Sequence, residues 1–201
     1  MPVTERHPEY VAHEDDWRMM DDALKGEKAV KDAGITYLPK TDGMRDAEAM
    51  AKQGHGLLSL EEVRHMYADY RDRATYPLWV KDSLRTMMGL VARQEPEIVL
   101  PTAMRTLESN ATADGFGLKQ LYLRIVSASL TKGRKPLLGD FDDDGRPYVS
   151  TYTAESAINW KIRAVEGRQD LTMVVLAESR PDEEDEFSHR QKTVYRVLDL
   201  V

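Results

Sequence analysis

The hydrophobic period changes once along this chain, at Gly133, and that change limits the possible folds more than any other feature. Before Gly133, apolar residues recur at helical spacing; after it they alternate, in runs rich in Val, Ile, Thr, Tyr and Trp. A chain that is first helical and then stranded must pack helices against an antiparallel sheet. The expected fold class is therefore α+β, with a helical N-terminal two-thirds followed by an antiparallel β meander. The same boundary separates a helical region, residues 1–133, from a β region, residues 134–201.

The helical part carries its own punctuation. Trp17, Met20, Leu24 and, less regularly, Val30 mark an amphipathic start, which Gly34 and Pro39 are expected to end. Residues 41–58 hold Gly43, Gly54 and Gly56 with few large apolar groups, which predicts a connector with at most a weak helical turn near 47–50. Ser59 and Glu62 then form a capping box, each side chain satisfying a backbone donor that the other's position leaves orphaned. Val63, Met66, Tyr67 and Tyr70 make one apolar face behind it, and Pro77 interrupts the pattern. A further helix through Leu84, Met87, Met88 and Val91 is expected to end at Glu95-Pro96, because the residue before proline is pushed out of the helical region. An extended stretch over 98–100 follows, and Leu118, Leu121, Tyr122, Ile125, Val126 and Ser129 define the cleanest helix, closed by Gly133.

In the β region, strands are expected over 147–153, 158–164, 171–178 and 192–201, linked by 166–170 and by an acidic loop over 181–188. Between Leu137-Leu138 and Pro147-Tyr148 lies Gly139-Asp140-Phe141-Asp142-Asp143-Asp144-Gly145, a polar, glycine-closed turn that predicts a hairpin. The last run, 194–201, stops on apolar residues, and the expectation is that this chain is the front portion of a longer one.

Composition narrows function by exclusion. An apolar share of 41% is lean and a charged share of 31% is high, which suits much solvated or partner-facing surface. The absence of cysteine removes disulfides, thiol catalysis and the commonest zinc ligands. No apolar run approaches the roughly 18 residues needed to span a bilayer. The opening Met-Pro-Val-Thr-Glu-Arg-His-Pro lacks a signal peptide's apolar core, so a soluble, intracellular-type chain is expected. A net charge of −7 argues against a basic-patch nucleic-acid binder, though a negative surface suits a conduit that must release DNA.

Candidate chemistry is sparse. Asp140, Asp142, Asp144 and Gly145 match the first positions of a calcium loop, but position 12 falls on Thr151, which cannot chelate bidentately, and the flanks read as strands. His7, His13, His55, His65 and His189 show no i, i+4 pair and no H-E-x-x-H. No G-x-S-x-G elbow is present. Gly115-Phe116-Gly117 lacks the remainder of a phosphate loop and is expected to shape the start of a helix. The run 182–186 reads as a solvated loop, and Tyr148, Tyr152, Trp160 and Tyr195 as sheet-face aromatics. No catalytic, cofactor-binding or metal residue is assigned.

Several landmarks, in order across nearly the whole chain, carry a resemblance. They are His7-Pro8-Glu9-Tyr10 with Trp17, Gly26-Glu27-Lys28-Ala29-Val30-Lys31, Tyr37-Leu38-Pro39, Tyr70-Arg71-Asp72-Arg73-Ala74, Gly89-Leu90-Val91 with Glu95-Pro96, Gly145-Arg146-Pro147-Tyr148, Tyr152-Thr153-Ala154-Glu155 and Ile158-Asn159-Trp160. In these the chain resembles the portal proteins of tailed bacteriophages. The resemblance implies a structural, non-enzymatic subunit of a dodecameric ring at one capsid vertex of the virion, assembled in the host cytoplasm. Such a ring sits among the major capsid protein, the packaging terminase and the head-tail connector. Double-stranded DNA passes through it during packaging and ejection without sequence-specific binding, and no membrane is involved. The matching part is similar to the peripheral wing; stem, clip and crown would lie beyond Val201. Two other readings remain: a monomeric phage adaptor of similar architecture, and a metal-dependent hydrolase using Asp140, Asp142 and Asp144.

Overall fold

The computed structural model of the protein describes residues 2–165, 167–182 and 189–199. An α-helical N-terminal region is followed by an antiparallel β arrangement that does not close into a barrel. By packing, the chain forms two compact units, Met19–Arg85 on the one hand and Met1–Arg18 with Thr86–Val201 on the other.

The first helix, α1 (Pro8–Lys25), ends sooner than its periodicity suggests. Gly26 adopts φ 93°, a conformation that L side chains rarely take, and the chain restarts as α2 (Glu27–Asp32) followed by a 3-10 turn at Gly34–Thr36. The expected connector over 41–58 is largely the helix α3 (Asp42–Lys52). Thr41 caps it by accepting from the Met44 backbone N–H, and Glu48 pairs with Lys52 one turn on. Gly43 sits in the first turn and its Cβ position is open space, so it weakened the helical signal while obstructing nothing.

Helix α4 (Leu60–Arg73) begins with the expected Ser59–Glu62 capping box, both halves of which are formed. It packs on α3, and its Tyr67 hydroxyl donates to the Leu38 carbonyl at 3.0 Å. Helix α5 (Trp79–Val91) starts just beyond Pro77. Within Met19–Arg85, Val63 is the only apolar side chain that is fully buried.

The other unit holds the β region. A 3-10 segment, Thr102–Glu108, stands beyond the extended stretch expected over 98–100, and α6 (Leu118–Lys132) follows. Gly133 closes α6 in the left-handed region at φ 74°, as its position suggested. Strands β1 (Leu137–Phe141) and β2 (Pro147–Thr151) make the expected hairpin. Strands β3 (Ala157–Val165), β4 (Arg168–Pro181) and β5 (Gln191–Asp199) make a separate three-stranded antiparallel sheet with β4 in the centre. Thus β2 pairs backward with β1 and not forward with β3. The 3-10 turn Ala154–Ser156 separates the two sheets, so the meander comprises three strands. Residues 183–188, most of the expected acidic loop, and 200–201, where the final strand was expected to end, lie outside the described residues.

Two apolar clusters hold this unit. Tyr10 and Trp17 pack with Ala154, Ile158 and Val175, and Leu107, Ala111 and Leu121 pack with Ile125 and Val149. No described helix is long and apolar enough to cross a membrane.

Candidate functional site

The aspartate-rich hairpin spends its carboxylates on its own fold. Asp142 Oδ1 accepts from the backbone N–H groups of Asp144 at 3.0 Å and Arg146 at 2.7 Å, closing the turn. Asp140 faces Arg196 of β5 at 3.8 Å, and Asp144 faces Arg146 at 3.6 Å. Thr151 lies at the far end of β2, opposite Leu137. Among the described residues, no three His, Asp or Glu side chains converge as a metal group.

The described histidines are dispersed. His7 stacks on Trp160 with ring centroids 4.0 Å apart, His13 lies 3.6 Å from Asp16, and His65 lies 3.9 Å from Glu61. Gly115-Phe116-Gly117 shapes the start of α6. The Phe116 carbonyl accepts from Ala111 and Thr112, and Gly117 is the N-cap residue. The aromatics divide: Trp160 joins the α1 cluster, whereas the Tyr152 hydroxyl donates to Glu178 at 2.9 Å, a carboxylate that also receives Arg180 and Arg196.

The most tightly built arrangement is one that sequence reasoning overlooked. The Arg134 guanidinium lies 4.4 Å from the Trp17 ring centroid, 4.9 Å from that of Trp160 and 5.8 Å from that of Tyr10. All three distances fall within cation–π range. Arg134 also donates to the carbonyls of Ala154 and Ala157, the latter at 2.9 Å. The Trp17 indole N–H donates to the Lys132 carbonyl at 3.1 Å, so α1 is tied to the end of α6 through the same ring. Lys132 pairs with Glu155. Burial acts most strongly on the Glu155 carboxyl and raises it, but the hydrogen bond and charge of Lys132, a backbone N–H and Thr153 together hold the group below its ordinary value. The junction ties α1, the end of α6 and the start of β3 together. Its one legible signal was an arginine directly after a helix-closing glycine.

In Met19–Arg85 the notable feature is open. A cavity of about 430 Å³ is lined by Met19, Met20, Val30, Tyr37, Leu38 and Tyr76. Glu27 and Lys31, paired at 2.7 Å, are its charged members. The same unit exposes Trp79 at 75% and Leu57 entirely, together with Ile35 and Met50. Large apolar groups stand exposed in the other unit too, Val99 and Phe141 among them. Sequence periodicity had placed Met20 in a core face, but it could not show that the face is left uncovered.

No protein-family model matches the chain, and no curated protein matches it.

Proposed function

We propose that the chain is a structural subunit of a tailed-bacteriophage portal ring, contributing peripheral, wing-like helices and sheet. The reading rests on the ordered landmarks from His7-Pro8-Glu9-Tyr10 to Ile158-Asn159-Trp160. The observation that carries it at the level of structure is the unit Met19–Arg85, with its apolar groove and its exposed Trp79 and Leu57. A helical layer that buries so little of its own apolar surface is completed by another copy, and identical head-to-tail contacts close into a ring when the rotation between copies divides a full turn. The net charge of −7 fits a conduit that repels the phosphate backbone it conducts. On this reading the ring stands at the capsid vertex, contacts the major capsid protein, terminase and head-tail connector, and passes double-stranded DNA without reading its sequence. It carries no catalytic step of its own.

The test is the mass of the full reading-frame product by light scattering, for the natural protein and for a Trp79→Ser, Leu57→Ser double variant. A multimer that falls to single subunits in the variant, with unchanged helical circular dichroism, is the expected result. Natural protein that is monomeric at every concentration would instead indicate an adaptor that shares the architecture without assembling.

A further inference from the structure

The cations around the end of α6 do more than brace the fold. A pocket of about 530 Å³ opens there, lined by Arg124, Lys132, Arg134 and Lys135 with the hydroxyl-bearing Ser127 and Thr151. Asp114 takes Arg124 at 2.8 Å, and Glu155 takes Lys132. Arg134 is turned to the aromatic junction and its two carbonyls.

Lys135 is left over. It makes no hydrogen bond or ion pair with any described residue, though it is half-buried. The negative end of a helix attracts cations, which accounts for lysines gathering here. Several of the last carbonyls are already engaged, none of them by Lys135. Those of Ser127 and Ala128 receive the Thr131 hydroxyl, that of Ser129 receives the Gly133 N–H, and that of Lys132 receives Trp17. Burial pushes the Lys135 ammonium below its ordinary value, the nearby Arg124 pushes the same way, and attraction to Glu155 only partly opposes them. The side-chain hydroxyls of Ser127 and Thr151 likewise have no hydrogen-bond partner among the described residues. Arg124 engages Asp114 through one terminal nitrogen while lying 4.1 Å over the Phe116 ring.

We infer that this pocket binds a phosphate oxyanion, held by Lys135 and Arg124 and by the hydroxyls of Ser127 and Thr151. A partly buried ammonium with no protein acceptor gains a charge-assisted hydrogen bond from an incoming anion. The donors are a point charge, part of a guanidinium and two hydroxyls, which suits an acceptor with several oxygens arranged in three dimensions. A carboxylate presents only two, in one plane. The pocket is roomier than a bare phosphate needs, so a phosphate ester fits as well as the free ion. The inference does not rest on ring formation, and a monomeric protein would have the same pocket.

The test is thermal denaturation and NMR titration of the full-length protein with inorganic phosphate, against chloride at matched ionic strength. Lys135→Gln is run beside it. Phosphate is expected to raise Tm where chloride does not, by mass action on the native state. Lys135→Gln should melt no lower than the natural protein without phosphate, and its affinity should fall about tenfold or more, the usual scale for losing a charged hydrogen bond. A parallel arm with a short oligonucleotide distinguishes the source: tighter Lys135-dependent binding than free phosphate identifies a phosphodiester, weaker binding the free ion or a monoester. A phosphate effect that survives Lys135→Gln intact would overturn the site. So would binding of a glutamate-rich peptide, dependent on Lys135, with no response to either phosphate probe.

Discussion

Arg134 does with one side chain what usually takes several. It spans Tyr10 and Trp17 of α1 and Trp160 of β3, and it satisfies two carbonyls of the turn that leads into β3. Only a flat guanidinium can stack on rings and fork its donors at once, so lysine is a poor substitute. Arg134→Lys should therefore lose most of what Arg134→Ala loses, about 2–4 kcal/mol, since both leave carbonyls without donors and rings without their cation. Urea denaturation followed by tryptophan fluorescence measures this, and Arg134→Lys melting like the natural protein would contradict the described geometry. Gly117 offers a second test at this scale. A methyl group added there would lie 2.3 Å from the Glu108 carbonyl oxygen, a backbone atom that cannot swing away. Gly117→Ala is expected to cost about 1–3 kcal/mol through overpacking. Gly89, exposed in α5 with open space around it, is the internal control. Gly89→Ala should gain up to about 1 kcal/mol from helix propensity.

Among the elements, α3 depends on charges that pH can switch off. Glu48 is pulled from its ordinary 4.5 to about 2, first by its hydrogen bond from Lys40 and then by that from Lys52. A carboxyl whose pKa is depressed on folding stabilises the native state above its unfolded value. That contribution is lost as pH falls from about 4.5 towards 2. The carboxyl resonance of Glu48 should accordingly titrate near the lower value, and Lys40→Gln should move it upward; titration at the ordinary value in the natural protein would refute the pairing. The elements also separate what was legible in the sequence from what was not. The Ser59–Glu62 box, the Gly133 stop and the Asp142–Gly145 turn were readable because each is local chemistry, complete within a few residues. Helix α3 was missed because glycines were weighed above the Thr41 cap and the Glu48–Lys52 pair. The break at Gly26 was hidden because the apolar period runs on across it. The Arg134 junction was unreadable for a different reason: its rings stand at positions 10, 17 and 160, and no local pattern joins them.

For the whole molecule, the contrast between the two units is the informative feature. The unit of Met1–Arg18 with Thr86–Val201 has two apolar clusters and a cation-centred aromatic junction. The unit Met19–Arg85 buries Val63 and leaves Trp79, Leu57 and an apolar groove uncovered. Large apolar side chains stand exposed in both units, Val99 and Phe141 as well as Trp79 and Leu57, and such surface is an asset in a subunit that meets its own copies. Negative-stain electron microscopy of the full-length protein shows whether it assembles. Rings of uniform diameter with an axial hole are expected. Uniform single particles of one subunit, at concentrations where rings should persist, would contradict assembly.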